Sequence, residues 1–393
     1  MKALVMNGYE TLSTRSYFMC YPCCTRLSKI YVIFFIAVSF FMQFVSLQAL
    51  MQSSSSSPYL LNRPLSWNTA KLSSVQSNQG EIKIAFWNVQ IHWVTDQPTN
   101  LAKYPQYAWK KRLRPISELI MKDSPDVLGL CEYNLVQAQD LKETLEKEGY
   151  SLIGFSSETM QSIDKVAEVI ASGNNLYYGE FVGFSFKRSR VQLMSANCYA
   201  LERGERHGRV LVVASFQDLL TQKHFVVLSS HFDHLSEMSR QRSATTELSI
   251  IQKLEEQKIP GFSLSDRNWY PDDAGQKNAE LYVSRPYIVD FRDETKQGHY
   301  GPSGTFVGHL GLESNHTRPV IKLADGLETI FASSVDVCFR SRNLVTAINS
   351  YCYTGEFDPI TYELLLETVS GDLSKRNFAS DHYYVGGTFR FHP

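Results

Sequence analysis

Residues 380–391 read Ser380-Asp381-His382-Tyr383-Tyr384-Val385-Gly386-Gly387-Thr388-Phe389-Arg390-Phe391. From residue 384 onward the run has the composition and alternation of a short strand. A carboxylate and an imidazole stand directly before it. Strand ends suit chemistry, because the strand holds the backbone while the adjoining loop aims the side chains. Three adjacent polar residues are ordinarily just a solvated turn. The triplet gains weight from other polar clusters upstream, each at the end of an apolar run.

Those runs organise the chain from residue 81. The spacing predicts strands over 82–89, 126–132, 181–186, 191–199, 209–217 and 224–230. Shorter strand-like pieces follow over 259–263, 288–291 and 335–339, before the final strand over 383–391. Leu113, Ile116, Leu119 and Ile120 recur at helical spacing, predicting a helix over 109–122 that stops before Ser124-Pro125. Further helices are predicted over 138–148 and 238–256. No internal repeat is visible. Strands and helices mixed through about 310 residues predict one layered α/β domain over 81–393.

The remaining residues form three segments. A basic stretch, 1–29, carries Lys2, Arg15, Arg26 and Lys29. The uncharged run 30–50 is long enough to span a bilayer as a hydrophobic helix. The basic flank places its N-terminal side in the cytoplasm. The run reads as a signal anchor, or as a signal peptide cut near Ala49 at a poor site, with Leu47 where a small residue is preferred. Residues 51–80, rich in Ser, Gln and Asn, have linker composition. This arrangement implies a domain held by the membrane outside the cytoplasm, or secreted.

Composition narrows the partners. The 393 residues carry a formal charge of −1 and are 43% hydrophobic, enough for a sizeable core. Without residues 1–50 there are 35 basic against 39 acidic residues, so a non-specific nucleic-acid binder is disfavoured. Cys20, Cys23 and Cys24 lie on the basic side of the apolar run and lack zinc-site spacing. Cys131, Cys198, Cys338 and Cys352 read as free thiols, with one disulfide left open for an exported domain. Asn315-His316-Thr317 is a glycosylation sequon. A monomer is expected.

The polar clusters decide the chemistry. Asn88 ends the first strand and Glu132 the second. His231-Phe232-Asp233-His234 follows the strand over 224–230, and Ser265-Asp266-Arg267-Asn268 follows that over 259–263. Asp336 lies inside an apolar strand, where a carboxylate is costly unless paired. Oxygen ligands dominate and no Cys/His set suits zinc. That inventory favours Mg²⁺, with Mn²⁺ as the alternative. Asp233 and His234 read as loop-forming, and Asp272-Asp273 as a solvated turn.

In this order, Asn88, Glu132, His231, Asp266-x-Asn268, Asp336 and Ser380-Asp381-His382 resemble the endonuclease/exonuclease/phosphatase superfamily, which includes pancreatic deoxyribonuclease-like enzymes. The resemblance spans roughly 81–392. Ser124-Pro125-Asp126-Val127-Leu128-Gly129-Leu130, Gly301-Pro302-Ser303-Gly304-Thr305-Phe306 and Tyr178-Gly179-Glu180-Phe181 add to it. It implies a four-layered α/β sandwich, two packed mixed sheets flanked by helices. It also implies metal-dependent hydrolysis of phosphate esters, in lipids, small molecules or nucleic acid. Glu132, Asn88 and Asp381 would lie at the metal. Asp266 would activate water, Asn268 and His231 would hold phosphate oxygens, Asp336 would brace His382, and Glu180 would set the tautomer of His231. The family commonly writes Gly-Asp-Phe-Asn where this chain has Ser265-Asp266-Arg267-Asn268, so Arg267 is a cation without an obvious target. The alternatives are a nuclease and a non-catalytic binding module on the same fold.

Overall fold

The computed structural model describes residues 80–173, 178–202, 208–269, 273–301, 305–306, 320–322, 328–330, 335–365 and 377–393. The chain divides into two units, 1–58 and 59–393, and every described residue belongs to the second. The expected basic segment, apolar run and glycosylation sequon therefore lie outside the described residues, as does the expected linker apart from Gly80. Among the described residues no helix is long and apolar enough to cross a membrane.

The strands are β1 (Glu81–Asn88), β2 (Val127–Tyr133), β3 (Tyr150–Ser156), β4 (Phe181–Lys187), β5 (Val191–Ala200), β6 (Val210–Asp218), β7 (His224–His231), β8 (Gly261–Asp266), β9 (Ile288–Asp290), β10 (His299–Tyr300), β11 (Val320–Lys322), β12 (Glu328–Ile330), β13 (Asp336–Ser341), β14 (Val345–Tyr353) and β15 (Tyr384–Phe391). The longer helices are α1 (Trp109–Asp123), α2 (Leu135–Lys147), α3 (Ile163–Ala171), α4 (Glu237–Glu256) and α5 (Asp273–Val283). They form a seven-stranded sheet in the order β10-β14-β15-β1-β2-β4-β3 and a six-stranded sheet in the order β5-β6-β7-β8-β13-β9. A small pair, β11-β12, stands apart. Both large sheets are mixed: β1 runs parallel to β2 and β7 to β8, while β15 and β13 run antiparallel to β1 and β8.

Period-two alternation explains how the layers stack. Ile82, Ile84 and Phe86 of β1 face a core shared with Phe216, Phe225, Phe262 and Leu264 of the second sheet. Ala85 and Trp87, on the other face of β1, pack with Ile116, Leu119 and Ile120 of α1 and Leu141 and Leu145 of α2. Leu228, Val337 and Phe339 on the far face of the second sheet meet Leu248 and Ile251 of α4 and Tyr282 of α5. The order of layers is helix, sheet, sheet, helix.

Several boundaries differ from the sequence reading. Helix α2 begins three residues early, at Leu135, because Asn134 and Gln137 form a reciprocal capping box. Strand β8 runs on through Ser265-Asp266, which places Asp266 in the ladder itself. The sequence reading had no element at β3, α3 or β14. Asp273, read as part of a solvated turn, opens α5. Cys131, Cys198, Cys338 and Cys352 are free thiols, and all but Cys198 are buried.

Candidate active site

Strand direction alone collects the polar residues at one end of both sheets. Parallel β1 and β2 deliver Asn88 and the Cys131-Glu132 step together, and Asn88 pairs with Cys131. Parallel β7 and β8 deliver His231 opposite Asp266. The antiparallel partner β13 begins with Asp336, also opposite Asp266. Antiparallel β15 brings the loop carrying His382 to the same end as Asn88. A bulge in the β2–β4 ladder falls between Cys131 and Tyr133, and Glu132 between them has φ of 58°. Bulges re-aim side chains, and this one turns Glu132 out of the ladder.

Asp266 is the hub. Its Oδ2 lies 3.5 Å from His231 Nε2 and 3.6 Å from His382 Nε2. Asn88 Nδ2 donates to the same Oδ2 at 2.9 Å and to Glu132 Oε2 at 2.6 Å, tying the two sheets together. Asp266 Oδ1 accepts from the backbone N–H of Asn268 at 3.0 Å. Asn268 has φ of 50°, and its amide donates to the carbonyl of Phe232 at 3.0 Å.

Each imidazole has its own carboxylate behind it. His382 Nδ1 meets Asp336 Oδ2 at 2.8 Å, and His231 Nδ1 meets Glu180 Oε1 at 2.7 Å. This is the arrangement expected for Asp336 and Glu180. It fixes which ring nitrogen faces the centre. Asp336 is itself held by its backbone N–H, which donates to Thr305 Oγ1 at 2.9 Å. The ring of Phe306 packs 4.8 Å from that of His382.

Charge follows from this geometry. Burial would lower the pKa of His382, but Asp336, Asp266 and Asp381 outweigh it and hold the ring well above its ordinary value. Burial would lower His231 too, but Glu180 outweighs it and raises the ring above its ordinary value, against the opposing pull of Arg209. Burial would raise Asp266, yet the two imidazoles outweigh it and hold its carboxyl below the usual range. Glu180 is likewise driven down to about 2 by His231 and Arg209 despite burial. Glu132 goes the other way: burial pushes it up to about 7, against the pull of His231. Burial also pushes Asp336 up to about 6 and raises Asp381. The geometry thus favours the protonated form of both imidazoles and the ionised form of Asp266, beside a Glu132 short of positive charge.

That deficit bears on the expected metal. Glu132 and Asp266 each offer a carboxylate oxygen, and these lie with a ring nitrogen of His382 within 4.8 Å of one another. The oxygens suit a hard divalent cation, which would relieve the cost of an ionised, desolvated Glu132. Asp381 stands a step further out: its Oδ2 accepts from Gln90 Nε2 at 2.8 Å, and its Oδ1 is 3.9 Å from His382 Nε2. Asn88 turns its amide nitrogen to the carboxylates, and its Oδ1 accepts from the backbone N–H of Gln90 at 3.0 Å. A half-turn of that amide would present oxygen instead.

The structure adds residues that local pattern did not single out. Arg209 donates to Glu180 and lies 3.1 Å from His234 Nδ1. Arg112, fully buried, donates to the carbonyls of Val89, Gln90, Tyr107 and Ala379, fastening the loop after β1 to the loop of His382. Neither has a sequence signal, because the partners are carbonyls and side chains from distant segments. Asp233, as expected of a loop-former, accepts from the N–H groups of Leu235 and Ser236.

No protein-family model matches the chain. The architecture does match solved structures. An endonuclease/exonuclease/phosphatase family protein from Bacteroides thetaiotaomicron aligns with a TM-score of 0.59 at 18% identity, covering 81% of this chain and 100% of that one. The fold is that of the endonuclease/exonuclease/phosphatase superfamily. A mannosyl-6-phosphatase from the same species shares this superfamily fold, with a TM-score of 0.57 at 17% identity over 79% of this chain and 100% of its own. The human Nocturnin catalytic domain aligns at 0.50, with 15% identity over 86% of this chain and 100% of that one. Among curated proteins, an uncharacterized protein of Acanthamoeba polyphaga mimivirus is 22% identical over 311 residues, 71% of this chain. The match covers only 42% of that relative's length.

Proposed function

We propose that the chain is a divalent-metal-dependent hydrolase of phosphate esters. The observation that carries this reading is the convergence of two carboxylate-backed imidazoles on Asp266, with Glu132 alongside. A Mg²⁺ or Mn²⁺ ion held by Glu132 and Asp266 would supply positive charge against the phosphate oxygens. Asp266 accepts the proton of the attacking water. His231, backed by Glu180, donates from Nε2 to the phosphate, where negative charge accumulates as the bond to water forms; the phosphorus–oxygen ester bond breaks in the same displacement, and His382, backed by Asp336, passes its Nε2 proton to the departing alcohol oxygen. Asn268 is seated beside them by its bond to Phe232.

The acidic balance of residues 51–393 supports a small phosphate ester or a lipid headgroup as substrate rather than nucleic acid. A neighbour in the same fold that is by name a mannosyl-6-phosphatase is consistent with this. The nuclease reading draws on the Glu180–His231 pair, since Glu180 matches nuclease-type members. A chelator-stripped sample, with and without added Mg²⁺, tested on phosphosugars, phosphoinositides, sphingomyelin, RNA and DNA separates these. Hydrolysis should require the metal, and Asp266→Ala or His382→Ala should each lower it by about 10²–10⁴-fold. Full activity in either variant sinks the mechanism. Inactivity on every substrate favours the binding module.

We further propose that residues 30–50 serve as a signal anchor or a cleaved signal peptide, so that the domain lies outside the cytoplasm. Recovery of the chain in membranes, or processed in the exported fraction, supports this. An unprocessed, soluble cytoplasmic chain refutes it.

A further inference from the structure

Arg267 lies between Asp266 and Asn268, yet its side chain takes no place in the site. It turns the opposite way and is fully buried. Its guanidinium donates to Glu247 of α4 at 2.9 Å, to Ser263 of β8 and to the carbonyl of Val337 in β13. Glu247, equally buried, also accepts from Ser263 at 2.6 Å and from the hydroxyl of Tyr282 in α5. Four aromatic rings enclose the guanidinium: Phe232, Trp269, Tyr282 and Phe339, with centroids 5.7, 5.4, 4.7 and 5.0 Å away.

Two consequences follow from where these bonds end. The backbone N–H of Arg267 donates to Val335 at 2.8 Å, while its side chain reaches Val337. One residue thus grips the chain on both sides of Asp336, the carboxylate behind His382. The same residue also ties down the turn that presents Asp266 and Asn268. A buried ion pair is weak evidence for stability, because apolar side chains of similar volume often serve as well or better. Its worth here lies in direction: a planar guanidinium fixes several acceptors at set angles.

We infer that Arg267, with Glu247 as its counter-ion, is the positioning residue that sets Asp266, Asn268 and the Asp336–His382 pair relative to one another. The inference rests on the hydrolase reading for its kinetic consequence only; the geometric claim stands by itself. The test compares full-length wild type with Arg267→Met, Arg267→Met/Glu247→Gln and Arg267→Lys. Arg267→Met strands a buried carboxylate and should lower Tm. The double variant removes both charges and should recover most of that loss. If Arg267 positions the site, the refolded double variant still loses roughly tenfold or more in kcat with KM little changed. The downfield proton resonance of the His382–Asp336 hydrogen bond also moves or broadens. Should the double variant fail to fold, Arg267→Lys is read the same way, since an ammonium cannot span the three acceptors with the same geometry.

A folded double variant, or failing that a folded Arg267→Lys, with wild-type kcat and an unmoved resonance overturns the proposal. A wild type inert on every phosphate ester overturns the hydrolase reading instead. The His382 resonance then decides the positioning claim alone.

Discussion

At the scale of single residues, the centre is built from pairs that shift one another's charge. Glu180 illustrates the sign. Its carboxyl is lowered from an ordinary 4.5 to about 2 because, although burial opposes it, His231 and Arg209 favour the ionised form. A lowered carboxyl contributes stability that is present above its unfolded value and lost as pH falls through its folded one. Glu180→Gln should therefore cost about 3 kcal/mol at neutral pH, and the Tm gap to wild type should close between about pH 4.5 and 2. A gap that stays constant over that range would show that Glu180 is not held by charge. The same change removes the acceptor behind His231 and should reduce turnover by about 10–100-fold in the phosphoesterase assay. His231, Asp266 and His382 were legible in the sequence as polar residues at the ends of apolar runs, Asp336 as a carboxylate inside one, and Glu180 only through the family resemblance. Arg209 and Arg112 were not, since a lone arginine near a strand or in a helix looks the same whether it is solvated or buried.

Elements deliver these residues through ladder direction and two local devices. One is the cap: Asn134 closes α2 two residues after Glu132 by accepting from the N–H of Gln137 at 3.1 Å. Asn134→Ala should lower unfolding free energy by about 1 kcal/mol in urea titrations. The other is close approach. At Gly183 in β4 a Cβ would run into the Ile153 carbonyl and the Cα of Gly154 in β3. Gly183→Ala should force these strands apart and destabilise by about 1–3 kcal/mol, read from the same titrations. An unchanged midpoint would mean that the β3–β4 pair yields without cost. Period-two and period-3.6 patterns located β1, β2, β7 and α1 well. Strand β14 escaped notice because its serine, asparagine and cysteine positions break the apolar signal; it is held by pairing with β15 and by burial instead.

Over the whole molecule, two sheets share one interior. Phe262 sits at its centre, with ring centroids of Phe225, Phe291, Phe389 and Phe391 between 5.2 and 6.3 Å away. Residues from both sheets thus close on one side chain. Phe262→Ala should cost about 3–5 kcal/mol through lost burial and a cavity. The transition should remain single, followed by either tryptophan fluorescence or circular dichroism, because neither sheet keeps its inner face covered without the other. Two separated transitions would show that the sheets are independent.

The sequence by itself determined the class of the fold and the identity of most groups at the centre. Alternation, helical spacing and turn residues are local, and a strand end can be recognised from its own neighbours. Only tertiary structure decided which groups meet. Asn88 and His382 are 294 residues apart, yet 3.3 Å separates Asn88 Nδ2 from His382 Nε2. The grouping of Glu132 with Asp266 and His382, with Asp381 a step further out, and the inward turn of Arg267 onto Glu247 depend on which layers face each other. That is settled by burying both faces of two sheets at once, a constraint that no short window of sequence contains.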